Sequence, residues 1–170
     1  MHEVGDRWRN GELKVVHEHM ASAVVRSLLG HLAGSGPASA TAPRIVVTTP
    51  QGQQHEFGAL IATITAVSHG WRALYLGPAL PAEDIAAAVN RSGATAVALS
   101  LVYPSDDPTL GAELQRLRKL TGAEMPLVVG GRAARYYATI LREIKAIVPD
   151  GLQQYADELD RIRNLHLNAS

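Results

Sequence analysis

RIVVTTPQGQQHEFG, residues 44–58, has the form of a strand, a loop and the start of a helix. A run of branched apolar residues reads as a strand over 45–49. Pro50 and Gly52 stop it, and a helical pattern begins near Glu56. The same order recurs downstream. Further strands are predicted over 72–76, 94–101, 126–129 and 145–148. Helices are predicted over 56–69, 82–92, 110–121, 133–144 and 152–165. Continuous Val, Ile and Leu runs indicate strands buried on both faces, hence a parallel sheet. Five such units predict an α/β fold, a flavodoxin-like five-stranded parallel sheet of order 2-1-3-4-5.

Upstream, Leu13, Val16, Met20, Val24 and Leu28 recur at helical spacing, so a helix is predicted over 11–33, with Asn10 as its N-cap. GSGPASATAP, residues 34–43, reads as a linker. The expected organisation is a helical cap segment over 1–36, a linker over 37–43 and an α/β domain over 44–170. In the last helix, Tyr155, Leu159, Ile162 and Leu165 share a face that would cover the sheet.

Composition narrows the function. Lys plus Arg and Asp plus Glu are both 16, so no global charge favours nucleic acid or an anionic membrane. The chain has no Cys, which removes disulfides, thiolate metal sites and cysteine nucleophiles. The polar N-terminus has no signal-peptide core, and no run is long enough to span a bilayer. A cytoplasmic protein is expected. No nucleophile–base pair stands out, so it is not expected to be an enzyme.

Ligands of open parallel sheets bind beyond the carboxyl ends of the strands, where strand order reverses. His55 follows the first strand, Ser100-Leu101-Val102 ends the third and Gly130-Gly131 ends the fourth. Imidazole ligates transition metals, a hydroxyl can bond a ring nitrogen, and paired glycines admit a large ligand to the backbone. Singly, each has an ordinary reading: a solvated histidine, an uninformative serine, a tight turn. Their shared edge makes them a set. His2, His31, His69 and His166 are assigned to surface or packing roles.

These residues resemble cobalamin-binding domains of the base-off/His-on type. Gln53-Gln54-His55-Glu56-Phe57-Gly58 resembles their D-x-H-x-x-G motif. Ser100-Leu101-Val102 resembles their S-x-L or S-x-V element, and Gly130-Gly131 their GG element. The resemblance implies that His55 ligates cobalt from below. The displaced dimethylbenzimidazole tail would lie in the α/β core, against Ser100, with room left by Gly58, Gly130 and Gly131. Gln53 stands where the family has Asp or Glu. Its amide can hydrogen-bond imidazole but cannot push electron density as a carboxylate does, which implies weaker His–cobalt coordination.

Trp8, followed after nine residues by Glu18-His19, resembles the W-x9-E-H signature of light-responsive MerR-type photoreceptor regulators and related stand-alone anti-repressors. By that resemblance, Trp8, Glu18 and His19 line the upper pocket around the 5′-deoxyadenosyl group. Adenosylcobalamin is the favoured cofactor, with methylcobalamin and hydroxocobalamin as other forms. Arg9 stands where those photoreceptors often carry a second cobalt-ligating His. The implied function is a cobalamin sensor that regulates transcription through a homo-oligomer, a regulator partner or a DNA-binding domain. The competing readings are a corrinoid module of a methyltransferase or mutase, and a flavodoxin-like domain for another ligand.

Overall fold

The computed structural model describes residues 15–34 and 41–169; the side chains of 15–19, 21, 32–34 and 167–169 lie outside that description. The elements run α1 Val15–Gly34, β1 Arg44–Thr48, α2 Phe57–Ser68, β2 Arg72–Tyr75, α3 Ala82–Ser92 and β3 Ala96–Ser100. They continue with α4 Leu110–Thr121, β4 Leu127–Gly130, a 3-10 turn Ala134–Tyr137, α5 Ala138–Glu143 and α6 Leu152–Ala169.

The four strands form one parallel sheet of order β2-β1-β3-β4. β1 reverses direction of travel across the sheet, since β2 lies on one side of it and β3 on the other. The carboxyl ends of β1 and β3 therefore flank the crevice. Alternate side chains of the central strands enter two separate cores. Ile45, Val47, Ala96, Ala98 and Val128 face Trp71 and the α6 residues Tyr155, Leu159 and Ile162. Val46, Val97, Leu99 and Val129 face α3, α4 and α5. This double burial explains why the strands read as unbroken apolar runs.

Three expectations need correction. The fifth strand is a single parallel bridge, Val128 to Ile147. Ile147 N–H donates to Leu127 O at 2.8 Å and Val129 N–H donates to Ile147 O at 2.8 Å. A left-handed Lys145 (φ 52°) on one side and Pro149 on the other confine the pairing to that residue. The helix over 133–144 is a 3-10 turn followed by the six-residue α5. Consecutive Tyr136 and Tyr137 favour α-helix weakly, since aromatic side chains lose rotamer freedom there. In the last helix Leu165 is exposed, while Tyr155, Leu159 and Ile162 are buried as expected.

α1 packs on α2. Its stripe of Met20, Val24 and Leu28 points outward, with relative exposures of 63 %, 68 % and 58 %. The half-buried residues are Ser22, Val25 and Leu29. The doublets Val24-Val25 and Leu28-Leu29 give the helix two apolar faces one residue apart. Periodicity alone therefore could not choose the inward one.

Candidate functional site

The loop between β1 and α2 is held from inside by Gln53, which is fully buried. Its Oε1 accepts from Val102 N–H at 2.8 Å and Tyr103 N–H at 3.0 Å. Its Nε2 donates to Pro104 O at 2.8 Å. Gln53 N–H donates to Pro50 O at 3.0 Å, and the Thr49 hydroxyl donates to Gln53 O. The amide thus satisfies the backbone just past β3, where no strand partner is available. It makes no bond to the imidazole of His55; both polar atoms of its amide are turned to the other loop.

His55 is exposed at the carboxyl edge of the sheet. Its ring meets Tyr103 edge-on, with centroids 5.7 Å apart and planes at 77°. Gln53 therefore acts on both sides of the crevice, fixing the histidine's loop and the loop bearing its aromatic neighbour. An imidazole in this open position is a suitable ligand for a transition metal.

Glu56, next in sequence, is buried to 8 % exposure. Its carboxylate accepts from Arg26 of α1 through one oxygen and from the Tyr75 hydroxyl at the end of β2 through the other. Burial, helped by the Glu56 carboxylate, pushes the Tyr75 phenol well above its ordinary pKa. Glu56 thus joins three elements: α1, the start of α2 and β2. Arg26 and Tyr75 carried no motif and were missed by sequence reasoning. The position of Tyr75 at a strand's carboxyl end was the available signal.

Behind His55 a cavity of about 390 Å³ runs between the sheet and helices α2 and α6. This falls in the usual size range of small-molecule sites. Ile61, Ala62, Val128 and Tyr155 make its walls largely apolar, while the Ser100 hydroxyl lies within it. That hydroxyl is buried and has no hydrogen-bond partner among the described residues. A buried polar atom without a partner costs roughly 1–3 kcal/mol, so its presence here calls for a ligand.

Glycines hold the cavity open. A Cβ on Gly58 would lie 2.3 Å from Ser100 Oγ. Gly131 has φ +97°, and a Cβ there would lie 2.2 Å from Leu101 O. Gly130, by contrast, faces open space. Ala133 N–H donates to Leu101 O at 3.0 Å, and Leu101 N–H donates to Gly130 O at 2.8 Å. Close approach of the two loops thus rests on Gly131. An apolar slot with one unpartnered hydroxyl fits a flat heterocycle bearing a ring nitrogen, and the dimethylbenzimidazole tail of cobalamin is such a group.

The structure brings together Gln53, His55, Ser100, Val102, Gly58, Gly130 and Gly131 at the carboxyl edge. Phe57 opens α2 and is half-buried. The Leu101 side chain is buried in the core on the α3–α5 face of the sheet. Trp8 lies outside the described residues. Glu18 and His19 fall within α1, but their side chains lie outside the description. Ile61, Arg132 and Asp150 line the cavity without having been singled out from sequence, and Tyr155, read from sequence as a sheet-covering residue, lines it as well. Among the described residues no group of His, Cys, Asp and Glu could hold a metal by itself. No helix among them is long and apolar enough to cross a membrane.

Comparison with known proteins agrees with this chemistry. A family model described as a B12 binding domain matches residues 43–156. A second model with the same description matches residues 1–33. The HTH-type transcriptional repressor CarH of Myxococcus xanthus is 31 % identical over 153 residues, covering 90 % of this chain and 51 % of that protein. The repressor CarA of the same organism is 28 % identical over 152 residues, covering 89 % of this chain and 52 % of that protein. The chain therefore spans about half the length of the curated relatives it matches.

Among solved structures, the monomethylamine corrinoid protein of Methanosarcina barkeri is similar with a TM-score of 0.65 at 16 % identity, covering 94 % of this chain and 76 % of that one. A cobalamin-binding protein of Desulfitobacterium hafniense gives a TM-score of 0.58 at 18 % identity, with coverage of 94 % and 76 %. These likenesses establish the fold. With the 43–156 match, the glycine-lined cavity and the unpartnered serine, the chain belongs to the family of B12-binding domains.

Proposed function

We propose that this chain is the cobalamin-sensing domain of a light-responsive transcriptional regulator, with adenosylcobalamin as its cofactor and His55 as the lower ligand. The similarity to two HTH-type repressors across nine-tenths of the chain carries the regulatory part of this reading. The unpartnered Ser100 hydroxyl in its cavity supports the cofactor. When bound, adenosylcobalamin supplies a cobalt–carbon bond that visible light breaks.

The chain's own residues divide the work. His55 offers imidazole nitrogen at the crevice, Ser100 donates to the tail base, and Gly58 and Gly130-Gly131 give the tail room. By the W-x9-E-H resemblance, Trp8, Glu18 and His19 would hold the adenosyl group. α1 is the output element. It is tied to the His55 loop through Arg26 and Glu56, so a change in its contacts with the cofactor would be felt at that ion pair. A shift of α1 would then reach a regulator partner, a second copy or an attached DNA-binding domain.

The test is optical and structural together. The purified chain is given adenosylcobalamin in the dark, and absorption spectra and amide exchange are recorded before and after green light. We expect stoichiometric binding, a light-induced spectral change, and faster exchange in α1 after illumination. Absence of binding would overturn the cofactor assignment. Binding with no light-induced change would instead indicate a corrinoid carrier and remove the photosensor role.

A further inference from the structure

The nucleotide tail of cobalamin carries a phosphodiester as well as a base, and the sensing reading gives no residue to it. Among the residues lining the cavity there is one cation, Arg132, and one anion, Asp150. Arg132 directly follows Gly130-Gly131, so the same turn that opens the cavity delivers its side chain to the rim. Its Nε donates to Val102 O at 3.2 Å. That bond ties the guanidinium to the backbone just past β3, whose last residue is Ser100. A guanidinium has five N–H donors in a rigid fork, so one bond to a carbonyl leaves most of them for a ligand. Arg132 forms no ion pair among the described residues. Val102 is itself held by Gln53, through its N–H at 2.8 Å. The cation is thus attached to a fixed stretch of backbone rather than swinging freely at the surface.

We infer that Arg132 is the anion contact of the tail cavity and binds the phosphodiester of the cofactor's nucleotide loop. The inference rests on the cobalamin reading and deepens it. An apolar slot with a single hydroxyl selects the heterocycle. A forked cation at its rim selects the charged linker that follows the heterocycle. In a chain of zero formal net charge, this local cation supplies attraction that the molecule as a whole does not. The consequence is discrimination among corrinoids by what hangs below the ring. Forms that carry phosphate are favoured over forms that lack it, even where the base is absent.

Three ligands isolate the effect: adenosylcobalamin, adenosylcobinamide phosphate and adenosylcobinamide, which lacks both base and phosphate. Their affinities are measured in the dark by calorimetry for the wild-type chain and for Arg132→Gln. The exposed position of Arg132 should leave the melting temperature of the variant unchanged. The wild type should bind adenosylcobinamide phosphate more tightly than adenosylcobinamide. Arg132→Gln should weaken the two phosphate-bearing ligands by about three- to tenfold and leave adenosylcobinamide unaffected. Raising the salt concentration should narrow the wild-type preference. An equal loss on all three ligands, or no loss on any, overturns the phosphate contact while leaving the cobalamin reading intact. Failure of the wild type to bind adenosylcobalamin overturns both.

Discussion

Gly131→Ala is expected to cost at least about 3 kcal/mol of folding stability, combining left-handed strain with a backbone collision. The residue has φ +97°, where an L side chain is disfavoured, and the added carbon would lie 2.2 Å from Leu101 O and 2.9 Å from Leu101 N. Neither atom is the end of a flexible side chain. Leu101 N–H is bonded to Gly130 O, and Leu101 O accepts from Ala133 N–H, so relief would require separating the turn after β4 from β3. That movement would also disrupt the cavity. Gly130→Ala is the control, since a Cβ there meets nothing within 4 Å. Its stability should change by less than about 1 kcal/mol. Urea unfolding measures both. A Gly131→Ala chain as stable as the wild type would show that the two loops are not in the close contact described.

Gln53→Leu is the second large effect. It removes three hydrogen bonds at once and leaves the N–H groups of Val102 and Tyr103 and the carbonyl of Pro104 without their partner. Leu is close in volume, so the loss is of polar satisfaction rather than packing. A cost of about 2–4 kcal/mol is expected from the uncompensated backbone groups. Gln53→Glu should be milder when its buried carboxyl is protonated, since it can then accept from the two N–H groups and donate to Pro104 O. The order of unfolding midpoints should be wild type, then Glu, then Leu. A Leu variant at the wild-type midpoint would contradict the role of Gln53 as the strut between the loops.

This second case shows where sequence reasoning stopped. The position of Gln53, two residues before His55, invited comparison with an acid that supports the imidazole. The side chain turns the other way because backbone N–H groups at 102 and 103 lie across the crevice. That is a tertiary fact, fifty residues away along the chain. Elements whose burial is uniform were legible: β1, with Ile45, Val46 and Val47 all fully buried, was read from its composition alone. The bridge at Ile147 looked like a strand because Ile147-Val148 has strand composition, while its truncation depends on the backbone at Lys145. The inward face of α1 was ambiguous because adjacent apolar doublets supply two candidate faces. At the carboxyl edge, the grouping of His55, Ser100 and the glycines was legible from motif and placement. Arg26, Tyr75 and Arg132 were not, since a lone charged or phenolic residue acquires meaning only from what the fold sets beside it.

The Glu56 linkage bears on how the domain would signal. A carboxylate one residue from the proposed cobalt ligand is shared between α1 and β2. Displacement of α1 and displacement of the His55 loop are therefore not independent. The fold places its most constrained contacts, Gln53 and Gly131, under the site, and an ion pair to a half-exposed arginine above it. Because the carboxylate is buried and also accepts from Tyr75, losing the arginine would leave a buried charge with only the phenol as its partner in that network.

The identity of the axial nitrogen tests the account most directly. The chain is prepared with 15N-labelled histidine, loaded with unlabelled cobalamin and reduced to the cob(II)alamin state for electron paramagnetic resonance. Ligation by His55 predicts that the cobalt lines, split into triplets by 14N in unlabelled protein, become doublets in the labelled protein, and that His55→Ala loses this histidine splitting. Triplets that persist in the labelled protein would mean that the cofactor's own base remains on the metal, and His55 would not be its ligand.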